Sequence, residues 1–339
     1  MNLIARAINY VLSTIDLAVV RRSTLDNLAA RAGASVGSAE LQRQVIDAGV
    51  QECVRLVSER LDSRQAELSE WHREQIRCQI AQKWSVLDGL RRRTGEFAAQ
   101  MSCPLCGHEA ASSSFAQLRS HCIFGGGDLV RRQCPACDVV FGPDKMLELT
   151  EAELSQDYEW HYRVFSEGDS TDQELRAFHL LNPSKDGVYL NYGAGGWSRS
   201  VQQLRAEGWN VLAFEPHSSA AAPVDYLIRS HADLQSMRFD GIFSNNVLEH
   251  LRHPVREMAQ MTALLKEGGR MAHATPCFDY RYEFTRFHLF FYQGRSQQIL
   301  ADKAGLKIDD FIVDGEFMCC VTSRGDAPES SGKANRQTT

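Results

Sequence analysis

Val188-Tyr-Leu-Asn-Tyr-Gly-Ala-Gly-Gly-Trp197 is the stretch on which the fold turns. Its apolar half, from Val188 to Tyr192, reads as a buried strand, because an apolar run bounded by glycine suits a strand covered on both faces. The run ends at Gly193, and a helical pattern begins just past Trp197. Twenty residues after Gly195 a second apolar run, Val211-Leu-Ala-Phe214, ends in Glu215. A glycine turn beside a carboxylate at the tip of the neighbouring strand is how a doubly wound α/β sheet holds a nucleoside. The glycines let the backbone approach the ligand, and the carboxylate accepts both ribose hydroxyl protons. The dinucleotide spacing Gly-x-Gly-x-x-Gly fails here, since Ser198 and Ser200 stand at the sixth positions counted from Gly193 and Gly195. A pyrophosphate also needs a free helix N-terminus, where Trp197 sits badly, so the turn suits a ligand without phosphate.

Further along, Phe239-Asp-Gly-Ile-Phe-Ser-Asn-Asn-Val-Leu-Glu-His-Leu-Arg-His-Pro254 joins a strand pattern to a loop and then a helix. Leu264-Leu-Lys-Glu-Gly-Gly269 precedes another strand pattern that ends at Thr275-Pro276. In this order the pieces resemble the class I S-adenosylmethionine-dependent methyltransferases. The match is to their small-molecule branch, where a leucine-glutamate-histidine triplet, here Leu248-Glu249-His250, follows the fourth strand. The resemblance implies an α/β fold with a doubly wound, seven-stranded Rossmann-like sheet that has one antiparallel edge strand. It implies that Gly193, Ala194 and Gly195 run under the methionine and ribose of S-adenosylmethionine and that Glu215 binds the ribose hydroxyls. Asp233 is then the candidate for the adenine amino group, and Asn245 and Asn246 face the methionine end. Two positions depart from the family pattern. Asn191 stands where an aspartate is usual, and Trp197 where a third glycine is frequent. Asn191 still offers hydrogen bonds at the cofactor site but brings no charge.

Methyl transfer from a sulfonium is an in-line displacement, so nucleophile and methyl group must be held close and aligned. A hydroxyl nucleophile also needs a base. The loop after the fourth strand borders the methyl group in this family, which makes His250 the candidate base and Glu249 the residue that orients its ring or binds substrate. The structural alternative is that both only cap the next helix. His253 and His288 lie on the same expected side, and His273, inside the fifth strand, reads as structural. The segment Thr275-Pro-Cys-Phe-Asp-Tyr-Arg-Tyr-Glu-Phe-Thr-Arg-Phe-His-Leu-Phe-Phe-Tyr292 is rich in aromatics and arginine. By resemblance it forms part of the substrate wall. Asp279, Tyr280, Tyr282, Arg286, His288 and Tyr292 are the substrate candidates: rings stack on a sugar or flat group, and Arg281 or Arg286 pairs with a carboxylate or phosphate. Phe287, Leu289 and Phe290 read as core.

Cys103-Pro-Leu-Cys106 and Cys134-Pro-Ala-Cys137 are two CxxC knuckles separated by 27 residues. Each knuckle aims two sulfurs at one point, and four thiolates close a tetrahedral structural zinc site with no open position. Redox dithiols are the alternative, but a thioredoxin-like CxxC occurs singly at a helix start. His108, His121 and Cys122 lie between the knuckles as replacement ligands. Many glycan and antibiotic-sugar methyltransferases carry a similar ribbon just before the methyltransferase domain. That likeness favours a hydroxyl of a sugar or glycan intermediate as acceptor.

No proline precedes Pro104, and residues 1–100 read as helical. Residues 3–19 carry an apolar stripe at helical spacing. Residues 39–90 read as a helical hairpin or coiled coil, with Val54, Val57, Leu61, Leu68 and Trp71 on the stripe and Arg64 interrupting it. A ribbon at 101–143, a methyltransferase domain at 144–323 and a disordered tail at 324–339 complete the expected division. The net charge of −6, from 37 basic and 43 acidic residues, argues against a nucleic-acid partner. The scattered cysteines and the lack of a signal peptide or bilayer-length apolar run fit the cytoplasm. Residues 1–100 are the candidate contact for a homo-oligomer, a biosynthetic complex or the inner membrane face. Two rival readings remain: a scaffold of this fold that has lost catalysis, supported by Asn191 and Trp197, and an RNA methyltransferase, opposed by the acidic charge.

Overall fold

The computed structural model describes residues 39–94, 99–166, 168–195, 198–216, 224–279 and 284–325. The expectations for residues 3–19 and for the tail past 325 lie outside the described residues. The chain divides into two compact units between Ile76 and Arg77, and elements are numbered below in chain order. Up to Ile76 the described chain is part of one helix, α1 (Ala39–Thr94). The expected hairpin is absent, since no proline interrupts this run. Ion pairs of Arg55 with Glu52 and Glu59, and of Arg73 with Glu70, lace its surface at helical spacing. Val54, Leu61, Leu68 and Trp71 of the predicted stripe are each 60% exposed or more. No helix among the described residues is long and apolar enough to cross a membrane.

The unit from Arg77 onward begins with the end of α1, where Ile80 and Trp84 are fully buried. Next come β1 (Gln100–Ser102) and β2 (Glu109–Ala111), which pair as a hairpin, then β3 (Ala116–His121), β4 (Asp128–Gln133) and β5 (Val140–Phe141). Three helices follow: α2 (Asp144–Leu147), α3 (Glu151–Val164) and α4 (Thr171–Leu180). Thr150 and Glu153 form a capping box that starts α3.

The main sheet is built from β6 (Val188–Tyr192), β7 (Asn210–Phe214), β8 (Leu227–Ile228), β9 (Phe239–Asn245), β10 (Leu265–Ala274), β12 (Leu306–Asp314) and β13 (Phe317–Arg324). Its helices are α5 (Arg199–Ala206), α6 (His231–Gln235), α7 (Pro254–Leu264) and α8 (Ser296–Lys303). The strand order is β12-β13-β10-β9-β6-β7-β8, mostly parallel, as expected of a doubly wound sheet. One expectation is corrected: the antiparallel strand is not at the edge. β13 lies between β10 and β12 and runs against both, so the edge strand β12 is parallel to the rest. The tight hairpin through Gly315 (φ 61°) drives this, because it returns the chain into the space beside β10. Arg324, read as the first tail residue, closes β13 opposite Leu306.

A second sheet has the order β11-β5-β4-β3, where β11 (Phe290–Phe291) comes from the segment after β10. Phe290 pairs with Phe141 and Phe291 with Val140, so that segment is stitched to the cysteine region by backbone hydrogen bonds. Buried Arg131 of β4 reinforces the join by donating to the carbonyls of Thr285 (2.6 Å) and His288 (3.0 Å).

Candidate active site

Parallel pairing brings four strand ends to one rim. Tyr192 is in register with Phe214, and Asn245 with Ala274. The glycine turn leaves β6 at Gly193 (φ 74°), and a Cβ there would meet Val247 at 2.7 Å, so only glycine lets the turn lie against the loop after β9. Gly195 (φ 69°) has open space on its Cβ side. Its N–H donates to Glu215 Oε2 at 3.1 Å, which joins turn and carboxylate directly. Ala194 is buried, with its N–H on Phe214 O at 3.2 Å. Ser198 then caps α5 by accepting from Val201 N. Gly196 and Trp197 lie outside the described residues.

Asn191 is buried at the end of β6, and its amide donates to Glu174 Oε2 at 2.7 Å. Ser198 Oγ (3.2 Å) and Ser200 Oγ donate to the same carboxylate, and Ser170 Oγ to its other oxygen (2.7 Å). Glu174 of α4 thus brings to the glycine turn the negative charge that Asn191 lacks. Sequence reading missed it because helix and strand meet only in the fold. The Glu174→Gln variant keeps the shape and loses the charge. It should bind S-adenosylhomocysteine roughly fivefold to tenfold more weakly, the size of one modest polar interaction, as read by calorimetry.

The other predicted cofactor residues fall on the same rim. Asn245 is partly buried at the end of β9, and exposed Asn246 takes a left-handed conformation (φ 54°) with its N–H on Ala274 O at 2.9 Å. Asp233 is exposed in the first turn of α6, two residues after His231, whose ring packs on Phe214 at 4.8 Å.

Leu248–His250 forms a short 3-10 turn after β9, in which Glu249 is fully buried. His250 Nδ1 lies 3.0 Å from Tyr158 Oη of α3, and the Tyr158 ring stacks on Phe287 at 4.3 Å. Burial pulls the His250 ring down to about 4, so it is neutral near pH 7. His288 stands edge-on to His250 with ring centroids 4.9 Å apart. His273 is buried in β10 beside Ser244 Oγ (2.8 Å), and His253 is the residue from which α7 starts.

Two of the substrate candidates are buried. Arg286 is fully buried, with Nε on Asp157 Oδ2 at 2.6 Å, and it serves the core because α3 presents it a carboxylate. Tyr292 is fully buried, and its hydroxyl donates to Leu248 O at 2.9 Å, which holds the 248–250 turn in place. Asp279 is exposed and His288 partly so, while Tyr280 and Tyr282 lie outside the described residues.

The cysteine knuckles have matching backbones. Cys103 N bonds His108 O and Cys134 N bonds Val139 O, both at 2.9 Å, and Gly107 and Asp138 take the left-handed conformation that ends each knuckle. All four sulfurs lie within 4.8 Å of one another. Cys103 and Cys137 are 3.6 Å apart, and Cys106 and Cys134 3.7 Å. His108, His121 and Cys122 are not in this cluster. His121 is an exposed neighbour of Asp128, and Cys122 is buried against Arg286.

A family model described as a methyltransferase domain matches residues 170–310. This stretch is similar to a methyltransferase domain. It takes in the glycine turn, Glu174, Glu215 and the Leu248–His250 turn, and leaves the cysteine knuckles and Tyr158 outside. No curated protein sequence matches the chain significantly. Among solved structures, a methyltransferase of calicheamicin biosynthesis is similar at 13% identity, over 52% of this chain and 59% of that one, with a TM-score of 0.38. A mitomycin 7-O-methyltransferase is similar at 12% identity, over 53% and 60%, with a TM-score of 0.38. A Burkholderia thailandensis 1,6-didemethyltoxoflavin-N1-methyltransferase is similar at 15% identity, over 58% and 96%, with a TM-score of 0.40. The likeness thus spans about three fifths of the first two relatives' length.

Proposed function

We propose that this chain transfers a methyl group from S-adenosylmethionine to a hydroxyl of a small molecule, with a sugar or glycan intermediate as the acceptor. The observation that carries the reading is the Gly195–Glu215 contact at the carboxyl ends of β6 and β7, within reach of open space above the turn. The donor set suits the cofactor: flush glycines for its methionine and ribose, Glu215 for the ribose hydroxyls, and Asn191 with Glu174 for the charged amino acid end. When bound, the cofactor supplies an electrophilic methyl group on its sulfonium. The protein's own part is to align the acceptor and to take its proton. In the tautomer whose Nδ1 donates to Tyr158 Oη, His250 keeps the Nε2 lone pair to receive that proton. Tyr158 fixes the ring, and Phe287 fixes Tyr158. Glu174 weakens the scaffold rival, since the charge missing at Asn191 is restored from α4.

The sugar acceptor rests on the likeness of the ribbon-then-methyltransferase order to glycan and antibiotic-sugar enzymes. A structural zinc in Cys103, Cys106, Cys134 and Cys137 belongs to the same proposal. A tetrahedral zinc with bonds of about 2.3 Å spaces its sulfurs about 3.8 Å apart, close to the distances found. Cys106→Ser should release this metal, read by elemental analysis of the dialysed protein. The function itself is tested by calorimetry with S-adenosylhomocysteine, then by a radiolabelled methyl-transfer screen over nucleotide sugars. Binding plus label on a sugar supports the proposal. No binding by a folded, metal-loaded chain refutes it, and label on RNA instead moves the acceptor to nucleic acid.

A further inference from the structure

Glu249, Cys277 and His288 come together where three segments converge: the turn after β9, the turn after β10, and the stretch that leads into β11. One oxygen, one sulfur and one ring nitrogen from these side chains all lie within 4.8 Å of one another. Glu249 and Cys277 are fully buried. Backbone hydrogen bonds lock the segments together. Leu289 N donates to Glu249 O at 2.6 Å and Tyr292 N to Cys277 O at 2.9 Å, while Arg131 holds His288 O at 3.0 Å. The three side chains are therefore set on fixed backbone rather than on a free loop.

We propose that Glu249, Cys277 and His288 form a second metal site, distinct from the cysteine knuckles, that takes zinc or a similar divalent transition metal. Two arguments support it. The first is distance: Cys277 Sγ and His288 Nδ1 are 3.5 Å apart. Zinc bonds of about 2.3 Å to sulfur and about 2.0 Å to nitrogen at a tetrahedral angle separate those atoms by about 3.5 Å. The second is donor chemistry, since a carboxylate, a thiolate and an imidazole are all zinc ligands, while sulfur and ring nitrogen suit a hard ion such as magnesium poorly.

Three protein ligands leave one tetrahedral position for water or for a substrate heteroatom, unlike the closed four-cysteine set. The site sits at the rim where β9 and β10 end, with the His250 ring 4.9 Å from that of His288. A metal there would polarise a bound acceptor hydroxyl. That role rests on the proposed methyl transfer, whereas the binding site itself does not. The competing arrangement is a metal-free S–H···N pair between Cys277 and His288.

The test is metal content, read without any activity assay. The full chain is dialysed against metal-free buffer with added zinc and analysed by plasma mass spectrometry, with circular dichroism to verify folding. Two equivalents are expected in the parent chain, one in Cys277→Ser, and one in Cys106→Ser, which keeps the new site. Glu249→Gln, which preserves shape, and His288→Gln, which is similar in size, should also fall to one equivalent, so the proposal does not hang on a single variant's folding. Cobalt substitution of Cys106→Ser should give visible absorption that Cys277→Ser removes. One equivalent in the parent, lost in Cys106→Ser and kept in Cys277→Ser, overturns the site. Two equivalents in a chain that fails to bind S-adenosylhomocysteine would uphold the site while refuting the methyl-transfer reading.

Discussion

Glu215→Ala should bind S-adenosylhomocysteine at least about 100-fold more weakly than the parent chain, a loss of about 3 kcal/mol from two charge-assisted hydrogen bonds. The carboxylate stands at the end of β7, with Oε2 accepting from Gly195 N–H at 3.1 Å. In the free chain that contact pre-sets both the turn and the acid. On the proposed reading the same carboxylate takes two ribose hydroxyls in the bound chain, so its removal would cost the ligand contacts and loosen the turn at once. Calorimetry measures the effect directly, and an unchanged melting temperature would show that the loss belongs to binding. An affinity within threefold of the parent would mean that the ribose is held elsewhere and would overturn the assignment. Glu215→Gln separates charge from shape: it offers one acceptor oxygen instead of two, and its affinity should fall between the others.

The parts of this site that the sequence disclosed are those carried by short-range pattern. Gly193, Gly195 and Glu215 are read together because parallel strands of known spacing put their ends side by side, and the register of Tyr192 with Phe214 places them so. The two CxxC knuckles are legible for the same reason, since each is a local turn. What stayed hidden is carried by tertiary contact. Glu174 meets Asn191 across 17 residues of chain, Tyr158 meets His250 across 92, and Asp157 meets Arg286 across 129. No periodicity in the sequence marks such pairs. The two-residue strand β11 had no signal either, because a strand that short has no alternation to read. Its pairing with Val140 and Phe141 buries Phe290, as read, and Phe291 beside it. Composition misled most at Arg286, since arginine is rarely buried without a partner and nothing near it in sequence names Asp157.

Arg286→Ala should destabilise the chain by about 3–5 kcal/mol, because it breaks a buried ion pair and leaves a charge in the core. Both side chains of the pair are fully buried. Asp157 Oδ2 accepts from Arg286 Nε at 2.6 Å, and Oδ1 from the partly exposed Lys83 at 3.1 Å. The guanidinium also lies over the rings of Phe287 (4.3 Å) and Trp84 (5.9 Å). It therefore links α3, the end of α1 and the segment that leads into β11. In a folded unit of this size each kcal/mol moves the melting temperature by about 2–4 °C, so the midpoint should fall by roughly 10 °C. The paired change Asp157→Asn with Arg286→Met removes both charges and should recover part of the loss, since an uncharged, filled core avoids a buried carboxylate left with Lys83 alone. If Arg286 instead served the substrate, the single variant would melt like the parent and only its KM would rise. Recovery in the double variant would place Arg286 in the scaffold that positions Tyr158, one residue after Asp157, against His250. Stability and catalytic geometry would then be held by the same buried pair.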